Sequence, residues 1–410
     1  MRIVLYRRRL SLTSGAGQLI RMHARGLCEA GYAVQLAAHR GNFRFSLNSG
    51  FRVRRYPRDE LKQMAASPDH LVIDHAAEIA EADLVFVHNL MSEGVRHIKR
   101  RDWLDHAARE SEFFKALNVA APIVANSRLV QRALIEHFDL DPQRIVIHYP
   151  GFDSRRFRAE SVRPDGSEAS AQAGTGASIE ANTGPSTGAI AEAGTEASTD
   201  TRSLRRRSRA ALGLAGDQPL IGFVTSGDLD KRGLDILLQT ASRISEARDD
   251  VRFLVVGAKR LPGWAASQHL VSTGRFLYRP KDARPERWFA ALDLFLFPAR
   301  FEEFGMVVSE AQACGIPVLT SRRVGAAECL PPEYESWIVD APAADAFAAK
   351  ALALLDDRAT MASLAVAGIK SVASFDDDSY IRQTLETTRR CVLEKASRFA
   401  KPAAAPMRTR

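Results

Sequence analysis

Phe297-Pro-Ala-Arg-Phe-Glu-Glu-Phe-Gly-Met-Val-Val-Ser-Glu-Ala-Gln-Ala-Cys-Gly-Ile-Pro-Val-Leu-Thr320, with Val324-Gly-Ala-Ala-Glu328 just after it, settles the architecture of this chain. A short apolar strand, Leu294 to Phe297, ends at Pro298, and a loop carrying Glu302 and Glu303 follows. Gly305 opens a helix that contains Glu310, and Gly315 closes it ahead of Pro317 and a new strand, Val318 to Thr320. Strand, loop, helix and strand in this order make one unit of a parallel sheet, whose carboxyl edge is where such sheets bind ligands. Backbone N–H groups at the helix start, from Phe304 through Gly305 and Met306 to Val307, can face diphosphate oxygens, and the missing side chain of Gly305 permits close approach. Glu310, about one and a half turns in, is placed to accept ribose hydroxyls, and Glu302 to hold a sugar.

Upstream of this unit the same alternation continues, with strands expected at Leu220 to Thr225 and Phe253 to Val256. After the first of them comes Thr225-Ser-Gly-Asp-Leu-Asp-Lys-Arg-Gly-Leu-Asp-Ile-Leu-Leu238. Gly227 and Asp228 form the turn, and Lys231 and Arg232 precede Gly233, where two cations can stabilise charge on a diphosphate leaving group. Which of the two touches phosphate is open at this point, and helix-start charges facing solvent are the plainer alternative.

The first 155 or so residues repeat the pattern independently, with strands at Ile3 to Tyr6, Val34 to Ala38, Leu84 to Val87, Ile123 to Ala125 and Ile145 to His148. Ile20, Ala24, Leu27 and Cys28 share one helical face, with Gly31 as the stop. Gly15-Ala16-Gly17 opens that helix, but position six of GxGxxG is Ile20 and no acidic residue ends the second strand, so the dinucleotide fingerprint is incomplete. The glycines serve equally as an ordinary tight turn or as a loop over donor phosphates. His88 ends a strand, either facing a sugar or satisfied internally. The run Arg96-His-Ile-Lys-Arg-Arg101 can dock a phosphorylated glycolipid or an anionic membrane face, or simply be solvated.

The expected organisation is thus α/β: two Rossmann-like, doubly wound parallel-sheet domains facing a cleft, over residues 1–158 and 209–378. Residues 159–208, rich in Ala, Gly, Ser, Thr and Glu, read as a disordered low-complexity linker. Residues 379–399 read as a helix packing back, and 400–410 as a disordered tail. A 410-residue chain exceeds one ordinary core. Its 46% apolar and 26% charged residues are those of a globular protein, and no apolar run is long enough for a bilayer span. Four scattered cysteines suit neither a disulfide framework nor zinc, and no metal is expected. The start Met-Arg-Ile-Val-Leu-Tyr with Arg7 to Arg9 lacks signal-peptide order, so the expected location is cytoplasmic, peripheral to the inner face of a membrane if the basic run docks there.

Glu302 and Glu310, with seven residues between them and followed by Ala311 and Cys314-Gly-Ile-Pro317, resemble the E-x7-E motif of family 4 glycosyltransferases, which have the GT-B fold. The Lys231-Arg232-Gly233 element and the segments Asp83 to Asn89, Ala125 to Ser127 and Tyr149 to Asp153 are similar to that family as well, although Arg232 stands where a lysine is usual. The resemblance implies transfer of a hexose-type sugar, with retention, from a UDP- or GDP-sugar co-substrate to a glycan or glycolipid of the cell envelope, most nearly as in lipopolysaccharide-core enzymes. It assigns catalysis to Glu302, Lys231, Arg232 and His88, and donor contacts to Gly15, Ala16, Gly17, Gly227, Asp228, Glu303, Phe304, Gly305, Met306, Val307 and Glu310. It implies no cofactor besides the nucleotide sugar. Competing readings are a nucleotide-sugar epimerase of the same architecture, and a basic nucleic-acid-binding or scaffold protein. The +8 net charge permits the last pair, but no nucleic-acid recognition motif supports a nucleic-acid partner.

Overall fold

The computed structural model describes residues 1–11, 14–39, 50–159, 204–225, 227–257, 259–266, 268–282 and 284–400. Seven parallel strands form one sheet: β1 (Arg2–Tyr6), β2 (Val34–Ala38), β3 (Val53–Arg55), β4 (His70–Asp74), β5 (Leu84–Val87), β6 (Ile123–Ala125) and β7 (Ile145–Ile147), in the order β3-β2-β1-β4-β5-β6-β7. Five more, β8 (Leu220–Val224), β9 (Arg252–Gly257), β10 (Phe276–Pro280), β11 (Leu294–Phe297) and β12 (Val318–Thr320), form a second in the order β10-β9-β8-β11-β12. Every pairing is parallel. Each order reverses direction beside the first strand of its sheet, which opens a crevice at the carboxyl ends of the strands there.

Both faces of the first sheet are buried. Val4, Tyr6, Val72, Val85 and Ile123 pack on one side, and Ile3, Leu5, Leu71, Ile73 and Phe86 on the other. Near-continuous apolar strands follow from that two-sided burial. A third core, built on Phe223, Leu254, Phe295, Phe297 and Leu319, fills the second unit.

The helix Gly15–Glu29 starts at Ser14, whose hydroxyl accepts the Gly17 N–H at 3.2 Å. It stops at Gly31 (φ 85°), where Gly31 N–H bonds Cys28 O and Tyr32 N–H bonds Leu27 O, satisfying the last carbonyls. Of the stretch 159–208, residues 160–203 lie outside the described residues, as does 401–410. Residues 204–211 are helical, and Arg205 and Arg209 both pair with Asp293 at the edge of the second sheet.

The last helix, Asp377–Phe399, returns to the first unit. Tyr380 and Ile381 pack on Leu19 and Met22, Cys391 enters the first core, and Lys395 binds Asp83 and the Ala65 carbonyl. The two connections between the units meet at a bridge between Phe152 and Asp376. Gly151 lies so close there that a Cβ would stand 2.6 Å from Asp376 O.

Candidate functional site

Between the two sheets the Glu302 loop meets the Lys231 turn. Gly305 (φ 92°) caps the helix Met306–Ala313, a left-handed conformation that favours glycine. The loop is pinned by the segment after β12: Glu302 N–H bonds Arg323 O, Gly325 N–H bonds Glu302 O, and Ala326 N–H bonds Phe304 O. On the other side Gly233 (φ 73°) lets the turn close against Pro298, and Gly227 leaves room for the Arg232 guanidinium, which a Cβ would overlap.

Four charges result. Arg232 donates to Glu302 Oε1 at 3.2 Å, while Glu302 Oε2 is buried, with no hydrogen-bond donor among the described residues and Lys231 Nζ 3.8 Å away. Lys231 donates to Glu303 Oε2 and lies over the Phe301 ring at 5.6 Å. Burial alone would lower the Lys231 ammonium, but Glu302 and Glu303 outweigh it and hold the group raised. Burial would likewise raise Glu302, yet Arg232 and Lys231 keep it below the ordinary carboxyl value. Lys231 is therefore held in its charged form and Glu302 as a carboxylate.

The first domain closes this loop from above. Leu90 N–H donates to Glu303 Oε1 at 2.9 Å, and Ser127 Oγ donates to Glu303 O at 2.7 Å. Gly15 brings its backbone so near Met306 that a Cβ would stand 3.0 Å from the sulfur. Ala16 and Gly17 lie in the same first turn, and Gly17 is needed there because a Cβ would overlap Ser11 O. Asp228 caps its own turn through the Asp230 and Lys231 N–H groups and pairs with Arg100 across the cleft. Glu328 accepts from Arg128 N–H and Leu129 N–H, at 2.8 and 2.6 Å, at the start of the helix Arg128–Phe138. A carboxylate in that position is favoured by the helix dipole.

Glu310 lies on the Met306–Ala313 helix, buried, and burial pushes its carboxyl up to about 7 against the opposing pull of Arg156. Arg156 itself bonds Glu286 at 2.7 Å. Phe304 is in the core, and Val307 is partly buried beside it.

His88, the residue after β5, stands at the head of a chain of rings. Its Nε2 is 2.9 Å from His75 Nδ1, His75 Nε2 is 3.4 Å from His23 Nδ1, and His23 Nε2 is 3.0 Å from Thr388 Oγ1. Burial depresses His23 to about 3 and holds His75 and His88 well below the ordinary imidazole value. All three rings are neutral. The internal partner left open by sequence is thus His75, and His88 Nδ1 has no protein partner among the described residues.

Sequence reading gave Arg100, Ser127, Glu328, His23 and His75 no part in this cleft, although Ser127 and Glu328 stand in segments it quoted. Arg100 carried a signal as one of a basic run, but its partner Asp228 is 128 residues away. Within the run, Arg96 pairs with Glu93, which His97 and His137 also hold, at 2.8 and 2.6 Å. Burial alone would raise Glu93, yet those two hydrogen bonds bring it down to about 2. Among the described residues no group of three or more His, Cys, Asp or Glu could hold a metal ion, and no helix is long and apolar enough to cross a membrane.

With this geometry in view, the likeness to known proteins is specific. Residues 205–371 match the family model described as glycosyl transferases group 1. Over 142 residues the chain is 34% identical to the D-inositol 3-phosphate glycosyltransferase of Mycobacterium sp. strain KMS, covering 32% of this chain and 31% of that one. The chain spans about a third to a half of the length of the first curated relatives it matches, from 31% to 48%. Two solved structures share the whole architecture. WaaG, a glycosyltransferase involved in lipopolysaccharide biosynthesis, superposes with a TM-score of 0.71 at 15% identity, over 94% of this chain and 99% of its own. HepE from Anabaena, solved in complex with UDP-glucose, gives 0.69 at 17% identity, over 95% and 100%. Two parallel-sheet domains, an interdomain cleft and the matched segment lead to one description: a chain of GT-B architecture whose residues 205–371 match the glycosyl transferases group 1 model.

Proposed function

We propose that the chain is a retaining glycosyltransferase that moves a hexose-type sugar from a UDP- or GDP-sugar to a hydroxyl of a cell-envelope glycan or glycolipid. The observation that carries this reading is the Glu302 carboxylate, one oxygen held by Arg232 and the other buried without a donor among the described residues, eight residues before Glu310 on the adjoining helix. A buried carboxylate oxygen gains most from a hydroxyl donor, and a sugar supplies one.

In this reading Glu310 takes the ribose hydroxyls and the diphosphate rests against the start of the Met306–Ala313 helix. Arg232, half-buried, stabilises the charge that grows on the leaving diphosphate. Lys231, deeper and bound to Glu303, holds the loop in place and, with Arg232, keeps Glu302 ionised. The transition state is oxocarbenium-like, as in glycoside cleavage. Attack comes from the face the diphosphate leaves, and a departing phosphate oxygen takes the proton of the acceptor hydroxyl. No enzymic nucleophile is needed, and Glu302 orients the sugar. The first domain supplies the acceptor side, and closure through Leu90, Ser127 and Glu328 keeps out water that would hydrolyse the donor.

A thermal-shift screen against UDP, GDP, ADP and their common sugar conjugates tests the donor site, because a ligand of the folded state raises its stability. One nucleotide should shift the midpoint, and Glu310→Ala should abolish the shift. If no nucleotide moves the midpoint, the transferase reading fails.

A further inference from the structure

The carboxyl ends of β5, β6 and β7 border a small cavity whose Asn126, His148 and Tyr380 have no part in the roles above. Phe86, His88, Asn126, His148 and Tyr380 are among its lining residues. Three of them carry a buried polar atom with no hydrogen-bond partner among the described residues: Asn126 Oδ1, His148 Nδ1 and Tyr380 Oη. These residues are 8%, 6% and 2% exposed. Their grouping is informative, because buried polar atoms are nearly always paired and three orphans around one space point to one missing partner.

The hydrogen-bond roles can be assigned. His148 Nε2 lies 3.1 Å from Thr387 Oγ1, which has no other partner among the described residues. A buried hydroxyl with a single neighbour donates to it, since a stranded O–H donor costs more than a spare lone pair. His148 Nε2 is then the acceptor, and the ring proton sits on Nδ1. Burial, with Arg390 beside it, depresses this imidazole to about 4, so it is neutral and carries that one proton only. The cavity therefore offers two donors, His148 Nδ1–H and Tyr380 Oη–H, and one acceptor, Asn126 Oδ1. That set is the complement of one hydroxyl, which accepts twice and donates once. Its free space is about 10 Å³, close to what a single buried oxygen centre requires.

We propose that Asn126, His148 and Tyr380 form a site for a single hydroxyl-type oxygen, belonging either to a water or to a substrate hydroxyl, with Thr387 setting the tautomer of His148. The site joins the ends of two first-domain strands to the start of the returning Asp377–Phe399 helix. It stands independently of the transferase reading.

The test uses the full-length, unmodified protein. Crystals grown without substrate and crystals soaked with a nucleotide sugar and a simple glycoside are both examined for density between the three side chains. One oxygen in the substrate-free crystals identifies a bound water. Density that appears only after soaking, continuous with the sugar, identifies a substrate hydroxyl. No density in either state overturns the proposal. Nitrogen-15 spectra of histidine-labelled protein give a second, activity-free readout. His148 should be the Nδ1–H tautomer in the parent protein and lose that preference in Thr387→Val, whereas an Nε2–H ring in the parent refutes the assignment.

Discussion

Glu310 makes the most discriminating test of the donor pocket, because its burial has a cost that depends on pH. The carboxyl is raised from 4.5 to about 7. Roughly two and a half pH units, at ~1.4 kcal/mol each, amount to ~3 kcal/mol. The folded state holds this proton more tightly than the unfolded one, so the stabilisation is complete below pH 4.5, declines as pH rises, and is gone above about 7. Glu310→Gln keeps the shape of the protonated acid and carries no charge at any pH. Relative to the parent it should gain ~3 kcal/mol at pH 8 and close to nothing at pH 4.5. Urea unfolding at those two pH values, read as the difference between variant and parent, removes the contribution of every other titrating group. An equal gain at both values, or a loss at pH 8, would refute the reasoning, since either would mean that the carboxylate is not desolvated. The same comparison links stability to function: a pocket that pays this penalty when unoccupied recovers it when ribose hydroxyls reach the ionised carboxylate. Nucleotide affinity in the parent should therefore rise through pH 7, a trend that Glu310→Gln should lack.

Other parts of the cleft give equally direct expectations. Lys231→Met removes the only cation among the described residues that bonds Glu303, which is 3% exposed, and should destabilise the protein by about 3–5 kcal/mol in urea unfolding; Glu303→Gln in the same chain should restore much of that. Gly325→Ala drives a Cβ into Glu303 O and to 2.7 Å from Ser127 Cβ, so it should wedge the domains apart. A larger radius of gyration in small-angle scattering, with donor affinity reduced about tenfold, is expected, and an unchanged radius would count against the contact. Glu328→Gln weakens the charge-assisted cap on Arg128 N–H and Leu129 N–H, and amide exchange at those two positions should quicken about tenfold with little change elsewhere.

Much of the fold was legible because burial leaves a compositional trace. Leu84–Val87 and Leu294–Phe297 are apolar at every position, buried on both faces, and their bounds agree with the runs read from sequence. The strands that escaped notice are instructive. Val53–Arg55 and Phe276–Pro280 are edge strands with partly exposed or charged positions, so they lack that trace. His70–Asp74 is central, but its apolar run is only Leu71 to Ile73 between polar ends. At the cleft, Glu302, Glu303 and Glu310 were legible because one short segment sets their spacing. The contacts across it were not: Glu328 meets Arg128 over 200 residues, Arg100 meets Asp228 over 128, and His23 meets Thr388 over 365. Pairings of that kind are made by the packing of two domains and leave no local periodicity to read.

The bridge between Phe152 and Asp376 also governs how the halves of the molecule can turn. Two sheets joined by a single tether can swivel in any direction, and most of those motions would scatter Glu303 and Ser127 without bringing them back into register. Here both passages of the chain run through one point, with Gly151 pressed against Asp376 and Tyr380. Two crossings joined at one point leave fewer directions of relative rotation open than one tether would. Tyr149, three residues before Phe152, packs on both Phe304 and Phe375, so the crossing steadies the Glu302 loop directly.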